Sequence, residues 1–201
     1  MYDRDDSPEF SQHKRKNMTQ EIIIAGFGGQ GVLSMGKILA YSGLMDDKEV
    51  SWMPSYGPEQ RGGTANVTVI LSDEKISSPV LDTYDIVVAL NQQSLDKFTS
   101  RVKPGGVLLY DTSGVHKHPE RTDIKVLPID AMQATLELGQ SKAYNMVVMG
   151  ALLEAMDYKL PMENVVKGLK KSIPERHHHL LPLNEQAIEK GRTLLSVNRQ
   201  D

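Results

Sequence analysis

The sequence contains no cysteine. Disulfides, a thiolate nucleophile and an iron–sulfur cluster held by cysteines of this chain are therefore excluded. An excess of positive charge is missing too: 23 Lys and Arg stand against 26 Asp and Glu, for a net charge of −3. Neutralising phosphates on a nucleic acid needs a basic surface, so that class of partner is set aside. No apolar run approaches the ~18 residues of a membrane span. Residues 1–17 are polar and charged rather than shaped like a signal peptide, and a cytoplasmic location is the expectation. Any redox reaction the protein serves must pass its electrons through a group held elsewhere.

What is present is ordinary in bulk and unusual in two places. Hydrophobic residues make up 39% of 201 and charged residues 24%, enough for one domain with a sizeable core. The first unusual place is residues 21–33, EIIIAGFGGQGVL. An aliphatic run ends in Gly26, Gly28 and Gly31, spaced as G-x-G-x-x-G, and a helical pattern follows at once. Such a turn aims backbone N–H groups at a phosphate-bearing ligand. A dinucleotide site would also need an acidic residue about 20 positions on, at the end of the second strand, for a ribose hydroxyl. Here that strand, expected at 50–53, ends in Met53-Pro54-Ser55, while Asp46, Asp47 and Glu49 precede it. NAD is therefore disfavoured, and the turn is read as an anion or phosphate cradle. The competing reading is that the glycines only let strand and helix pack closely.

Residues 1–17 lack periodicity and read as a disordered leader or an appended extension. Residues 18–195 read as the single domain and 196–201 as a tail. Aliphatic or alternating runs predict strands at 22–25, 50–53, 64–71, 85–90, 107–110 and 124–129. Helical periodicity marks 30–45, 91–102, 130–138, 144–156, 161–172 and 182–191. Pro161 and Pro182 suit a first helical position. Pro104-Gly105-Gly106 reads as a turn. Strands alternating with helices predict an α/β fold, a mostly parallel sheet with helices on both faces and a helical C-terminal part.

The second unusual place is residues 54–63, PSYGPEQRGG, read as a loop at the carboxyl end of the sheet, where ligands bind in this fold class. It offers Ser55 and Tyr56 hydroxyls, the Arg61 guanidinium for bidentate phosphate or carboxylate binding, and Gly62 and Gly63 for close approach. The alternative is a structural loop in which Arg61 pairs with Glu59 or a partner chain. Asn91-Gln92 follows the fourth strand, with Asn91 as the helix N-cap or, with Gln92, as ligand-facing amides. Asp111-Thr112-Ser113-Gly114 ends the next strand. Convergence of these segments with Gly26, Gly28, Gly29, Gln30 and Gly31 is the argument for one crevice. His177-His178-His179 is a poor metal site, because adjacent histidines do not converge on one ion. Met146, Met149 and Met156 lie at helical spacing and read as packing. No acid–base pair or nucleophile stands out, so no catalytic or metal-binding residue is assigned to the chain.

Taken together, Gly26-Phe27-Gly28-Gly29-Gln30-Gly31-Val32, the stretch from Ser55 to Ala65 (SYGPEQRGGTA), and Asn91-Gln92 resemble the gamma subunit of 2-oxoacid:ferredoxin oxidoreductases. Asn145, Gly150-Ala151-Leu152, Leu183 to Ile188 and Gly191 are similar as well. The wording is nearest the 2-oxoglutarate branch; pyruvate, 2-oxoisovalerate and indolepyruvate enzymes use similar chains. The resemblance implies a Rossmann-like fold associated with coenzyme A. It implies alpha and beta subunits holding thiamine diphosphate and Mg²⁺, with [4Fe-4S] clusters in the beta or a small ferredoxin-like subunit, and ferredoxin as electron acceptor. It further implies a catalytically silent isolated chain. A free-standing nucleotide-dependent enzyme and a purely structural assembly subunit remain the alternatives.

Overall fold

A computed structural model describes residues 17–57 and 63–197. In chain order the elements are β1 (Thr19–Phe27), α1 (Val32–Leu44), β2 (Glu49–Tyr56), β3 (Thr64–Ser72), β4 (Tyr84–Ala89) and α2 (Gln92–Phe98). Then come β5 (Val102–Asp111), β6 (Lys125–Ile129), α3 (Ala131–Glu137), α4 (Tyr144–Ala155), α5 (Met162–Ser172) and α6 (Leu181–Val197).

The six strands form one sheet in the order β2-β3-β1-β4-β5-β6. β1, β4, β5 and β6 pair in parallel, whereas β3 is antiparallel to both β1 and β2. Only β3 is reversed, so the carboxyl ends of the other strands share one edge of the sheet. Both faces are covered, unevenly. Ile22 and Ile24 of β1 join the larger core, with residues from α1, α3, α4, α5 and α6. Ile23 and Ala25 join the smaller one, under Leu95 and Phe98 of α2. That two-sided burial explains why β1 reads as an unbroken aliphatic run. Burying each isoleucine contributes about 1.5–3 kcal/mol.

Several boundaries differ from the sequence reading, each for a local reason. β2 continues to Tyr56 rather than ending at Met53, pairing Ser55 with Asn66 and Tyr56 with Ala65. Pro54 and Ser55 therefore belong to a strand, and the expected 54–63 loop begins later. Proline is tolerated there because β2 is an edge strand. Pro104-Gly105-Gly106 is not a turn before β5 but lies inside it, where Gly105 takes φ 77° and the pairing with β4 shifts register between Tyr84 and Ile86. The helix expected over 91–102 ends at Phe98, and a 3₁₀ turn over Thr99–Arg101 leads into β5. α1 starts at Val32, because Gly31 is left-handed at φ 77°. Pro161 caps α5 from outside. α6 extends to Val197, into the expected tail. The leader, up to residue 16, lies outside the described residues.

Candidate functional site

The glycine turn leaves β1 at the shared carboxyl edge. Gly26 is the last small residue before it, and a Cβ there would come within 2.7 Å of Gln30 Oε1. The space is used: Gln30 Oε1 accepts from the Phe27 N–H at 2.6 Å and Gln30 Nε2 donates to the Leu90 carbonyl at 3.3 Å. The Gly28 N–H donates to the Gly63 carbonyl at 2.9 Å, tying the turn to the start of β3. A Cβ on Gly31 would meet Asn145 Nδ2 at 2.5 Å. Gly26, Gln30 and Gly31 thus first serve the protein's own packing, and Gly28 its own hydrogen bonding. Gly29 is different. It is exposed, at φ 100°, with nothing within 4 Å of where a Cβ would be. Beyond it α1 begins with no side-chain cap and no acidic residue in its first turn. An uncapped helix start of this kind suits an anion, because its first amides lack intrahelical partners.

The ends of β1, β4 and β5 do converge. The Leu90 carbonyl receives the Gln30 amide, and a Cβ on Gly114 would lie 2.2 Å from the same oxygen. Asn91 caps α2, accepting from the Ser94 N–H at 2.8 Å. Its Nδ2 is buried without a partner, on a side chain only 3% exposed. Gln92 is engaged at both amide atoms: Oε1 accepts from the His116 and Lys117 N–H groups, each at 2.9 Å, and Nε2 donates to Asp96 at 2.8 Å. The sequence reading placed Gln92 toward a ligand, whereas here it braces the segment after β5. Ser55 and Tyr56 sit on the outermost strand, beyond β3, with Tyr56 70% exposed. Gly63 meets the turn through its carbonyl. Arg61 and Gly62 lie outside the described residues.

Asp111 ends β5 as a buried carboxylate with three donors: Tyr144 OH at 2.7 Å, Ala131 N–H at 3.1 Å and Ser113 Oγ. Burial, then the Asp111 charge, pushes the Tyr144 hydroxyl far above the usual phenol range. This network anchors the starts of α3 and α4 to the site edge and gives no sign of a proton-transfer pair.

A cleft of roughly 310 Å³ opens beside the first turns of α1, lined by Ser34, Lys37, Asn145 and Asn184 among others. The sequence reading passed over Ser34 and Lys37. Their signal was spacing: they are three apart, one turn beyond the glycines, and share a helix face. His177, His178 and His179 lie in a 3₁₀ segment and bond separately, to Arg176 Nε, to the Lys170 and Ile173 carbonyls, and to the Arg176 carbonyl. Among the described residues no cluster of three or more His, Asp or Glu is placed to hold a metal ion. Met146, Met149 and Met156 are core residues.

Comparison with known proteins agrees with this architecture. The family model for pyruvate ferredoxin/flavodoxin oxidoreductase matches residues 21–194. The 2-oxoglutarate synthase subunit KorC of Methanocaldococcus jannaschii is 37% identical over 166 residues, covering 81% of this chain and 88% of that protein. The gamma subunit of a keto/oxoacid ferredoxin oxidoreductase from Geobacter sulfurreducens superposes with a TM-score of 0.74 at 29% identity, covering 89% of this chain and 99% of that one. A 2-oxoglutarate:ferredoxin oxidoreductase from Magnetococcus marinus, with 2-oxoglutarate, coenzyme A and succinyl-CoA bound, gives 0.79 at 27% identity, covering 89% of this chain and 31% of that one. The chain spans only 29% and 37% of the length of two ketoisovalerate oxidoreductase subunits VorA, from Methanothermobacter marburgensis and M. thermautotrophicus, to which it is 41% and 36% identical.

Proposed function

The chain belongs to the pyruvate ferredoxin/flavodoxin oxidoreductase family, and we propose that it is the gamma subunit of a multi-subunit 2-oxoacid:ferredoxin oxidoreductase. In this reading the complex converts a 2-oxoacid, coenzyme A and oxidised ferredoxin into acyl-coenzyme A, CO₂ and reduced ferredoxin. The preferred substrate is 2-oxoglutarate, with succinyl-coenzyme A as product. The near-complete overlap with a KorC subunit supports a separate gamma chain of that branch. A branched-chain 2-oxoacid is the second reading, supported by the 41% identity to VorA.

The observation that carries the proposal is the uncapped start of α1 beside the exposed Gly29, at the carboxyl edge of a mostly parallel sheet. Its amides would hold the phosphates of coenzyme A, with Lys37 and Ser34 alongside and the buried Asn91 Nδ2 as a further donor. Arg61 and Gly62 join the proposed site on sequence grounds alone. Coenzyme A in the Magnetococcus marinus complex supports this choice of ligand. The chain itself supplies no cysteine for an iron–sulfur cluster. The chemistry of thiamine diphosphate, Mg²⁺ and [4Fe-4S] would therefore come from alpha, beta and ferredoxin-like partners. Residues 18–195 would act as one domain in a cytoplasmic complex; no helix among the described residues is long and apolar enough to cross a membrane.

The test is reconstitution. The chain is co-produced with candidate alpha, beta and ferredoxin-like subunits, and coenzyme A-dependent viologen reduction is followed with 2-oxoglutarate and with 2-oxoisovalerate. Activity with 2-oxoglutarate that needs this chain is expected. Turnover by the isolated chain, or a complex equally active without it, would overturn the proposal.

A further inference from the structure

The end of the sheet opposite the glycine turn holds a second cleft. It has a volume of roughly 430 Å³ and lies between the starts of β1, β4 and β5 and the carboxyl end of α4. Gln20, Lys103, Gly105, Ala155, Asp157 and Tyr158 are among its walls. A volume of this order suits a small metabolite.

Gln20 is the unusual wall. It lies on the same face of β1 as Ile22 and Ile24, which join the larger helical layer. Its side chain therefore points to the side on which Ala155 closes the cleft. The residue is 5% exposed, and its Oε1 is buried without a hydrogen-bond partner. An acceptor left unmade in this way costs about 1–3 kcal/mol. An aliphatic residue would avoid that cost, so the retained amide points to a donor that arrives from outside.

The surrounding charge says which kind of donor. Lys103 Nζ is already held between Asp85, at 2.7 Å, and Glu21. Asp157 stands exposed at the rim. Among the described residues, Glu21, Asp85 and Asp157 thus place three carboxylates around the Lys103 ammonium and the cleft rim. Lys48 pairs with Asp73 and lies over the ring of Tyr158, 4.7 Å from its centroid, while Tyr158 donates to Asp46; Lys159 donates to the Glu154 carbonyl. α4 ends here as well, and the carboxyl end of a helix favours a cation.

We propose that this cleft binds a small ligand through a protonated amine, with the ammonium donating to Gln20 Oε1 and facing Asp157. The site is distinct from the glycine turn, so its failure would leave the oxidoreductase reading untouched.

The probe is 1,5-diaminopentane, with 1,5-pentanedioate as the oppositely charged control, titrated into the full chain and followed by backbone amide NMR shifts. Saturable shifts are expected at residues 18–20, 103–107 and 155–158 with the diamine and not with the diacid. Gln20→Leu should weaken diamine binding about fivefold or more. It should also leave the melting temperature unchanged or raised, because the orphaned acceptor is gone. Asp157→Asn should weaken binding too, and by more at low salt. Diamine shifts that fail to saturate by about 50 mM, preferential binding of the diacid, or a Gln20→Leu variant that loses stability but keeps its affinity would each overturn the proposal.

Discussion

Gly150 of α4 and Gly191 of α6 stand opposite each other across one helix crossing. A Cβ on Gly150 would lie 1.9 Å from the Ile188 carbonyl oxygen, and a Cβ on Gly191 would lie 1.9 Å from that of Val147. Backbone meets backbone there, closer than helices that interpose side chains can come. The crossing seats the first turn of α4, which sends Tyr144 to Asp111 and sets Asn145 against Gly31. Two glycines far from the glycine turn thus help to shape its wall.

Gly191→Ala should force α4 and α6 apart. Overpacking of this kind costs about 1–3 kcal/mol, and the rigid backbone on the far side puts the expected value at the upper end. Urea unfolding of the variant measures it. A midpoint matching the unsubstituted chain would mean that the helices separate freely and that the close approach contributes nothing.

Gly29→Ala and Gly31→Ala should separate strain from collision. Both glycines have positive φ, at 100° and 77°, and a left-handed conformation costs an L-residue about 1–2 kcal/mol. Only Gly31 also has a neighbour in the way, Asn145. Gly31→Ala should therefore be the less stable of the two, and adding Asn145→Gly should recover part of the difference. Equal losses, unaffected by Asn145→Gly, would dismiss the contact.

Asn91→Ser tests the orphaned amide. Serine caps a helix about as well as asparagine, so the loss of stability should stay within about 1 kcal/mol. The variant lacks Nδ2. If that group donates to coenzyme A, calorimetry on the assembled complex should record a fall in affinity of roughly tenfold, the scale of one lost hydrogen bond. An unchanged affinity would remove Asn91 from the proposed site.

Tyr144→Phe should alter the alkaline side of the stability curve. In the folded chain, burial and Asp111 hold the hydroxyl protonated well above its ordinary value. The unfolded chain ionises at about 10. Below that pH both states are protonated and the contribution is complete; above it the unfolded state alone loses its proton. Stability is then lost as pH rises, by at most about 1.4 kcal/mol per pH unit for one group. Denaturant midpoints from pH 9 to 11.5 should fall less steeply for Tyr144→Phe. At neutral pH the variant should be the weaker protein, because buried Asp111 has lost a donor. Parallel pH profiles would show that Tyr144 ionises normally.

Legibility in the sequence followed the range of the forces involved. Ile22, Ile23 and Ile24 declare a strand buried on both faces by their own hydrophobicity. The glycine spacing likewise declares a turn. Pro54 and Ser55 carried the opposite local signal, and their strand conformation comes from pairing with Val67 and Asn66 on β3. Gln30 and Gln92 read as ligand-facing, because the Leu90 carbonyl and the N–H groups of His116 and Lys117 that engage them lie 60, 24 and 25 residues away. Asn91 was readable as a cap, yet nothing in the sequence marks its second nitrogen as buried and unpaired.

The position of β1 has a consequence for how the chain is made. β1 precedes every other described strand in the chain, yet it is an interior strand of the finished sheet, with β3 on one side and β4 on the other. Until residues up to Ala89 have followed, Ile22 and Ile24 have no complete partner set. At the usual pace of synthesis, about 5–20 residues per second, several seconds separate this aliphatic strand from the last of its two neighbours. The aliphatic strand that the finished sheet buries is thus exposed for part of the time the chain is being made.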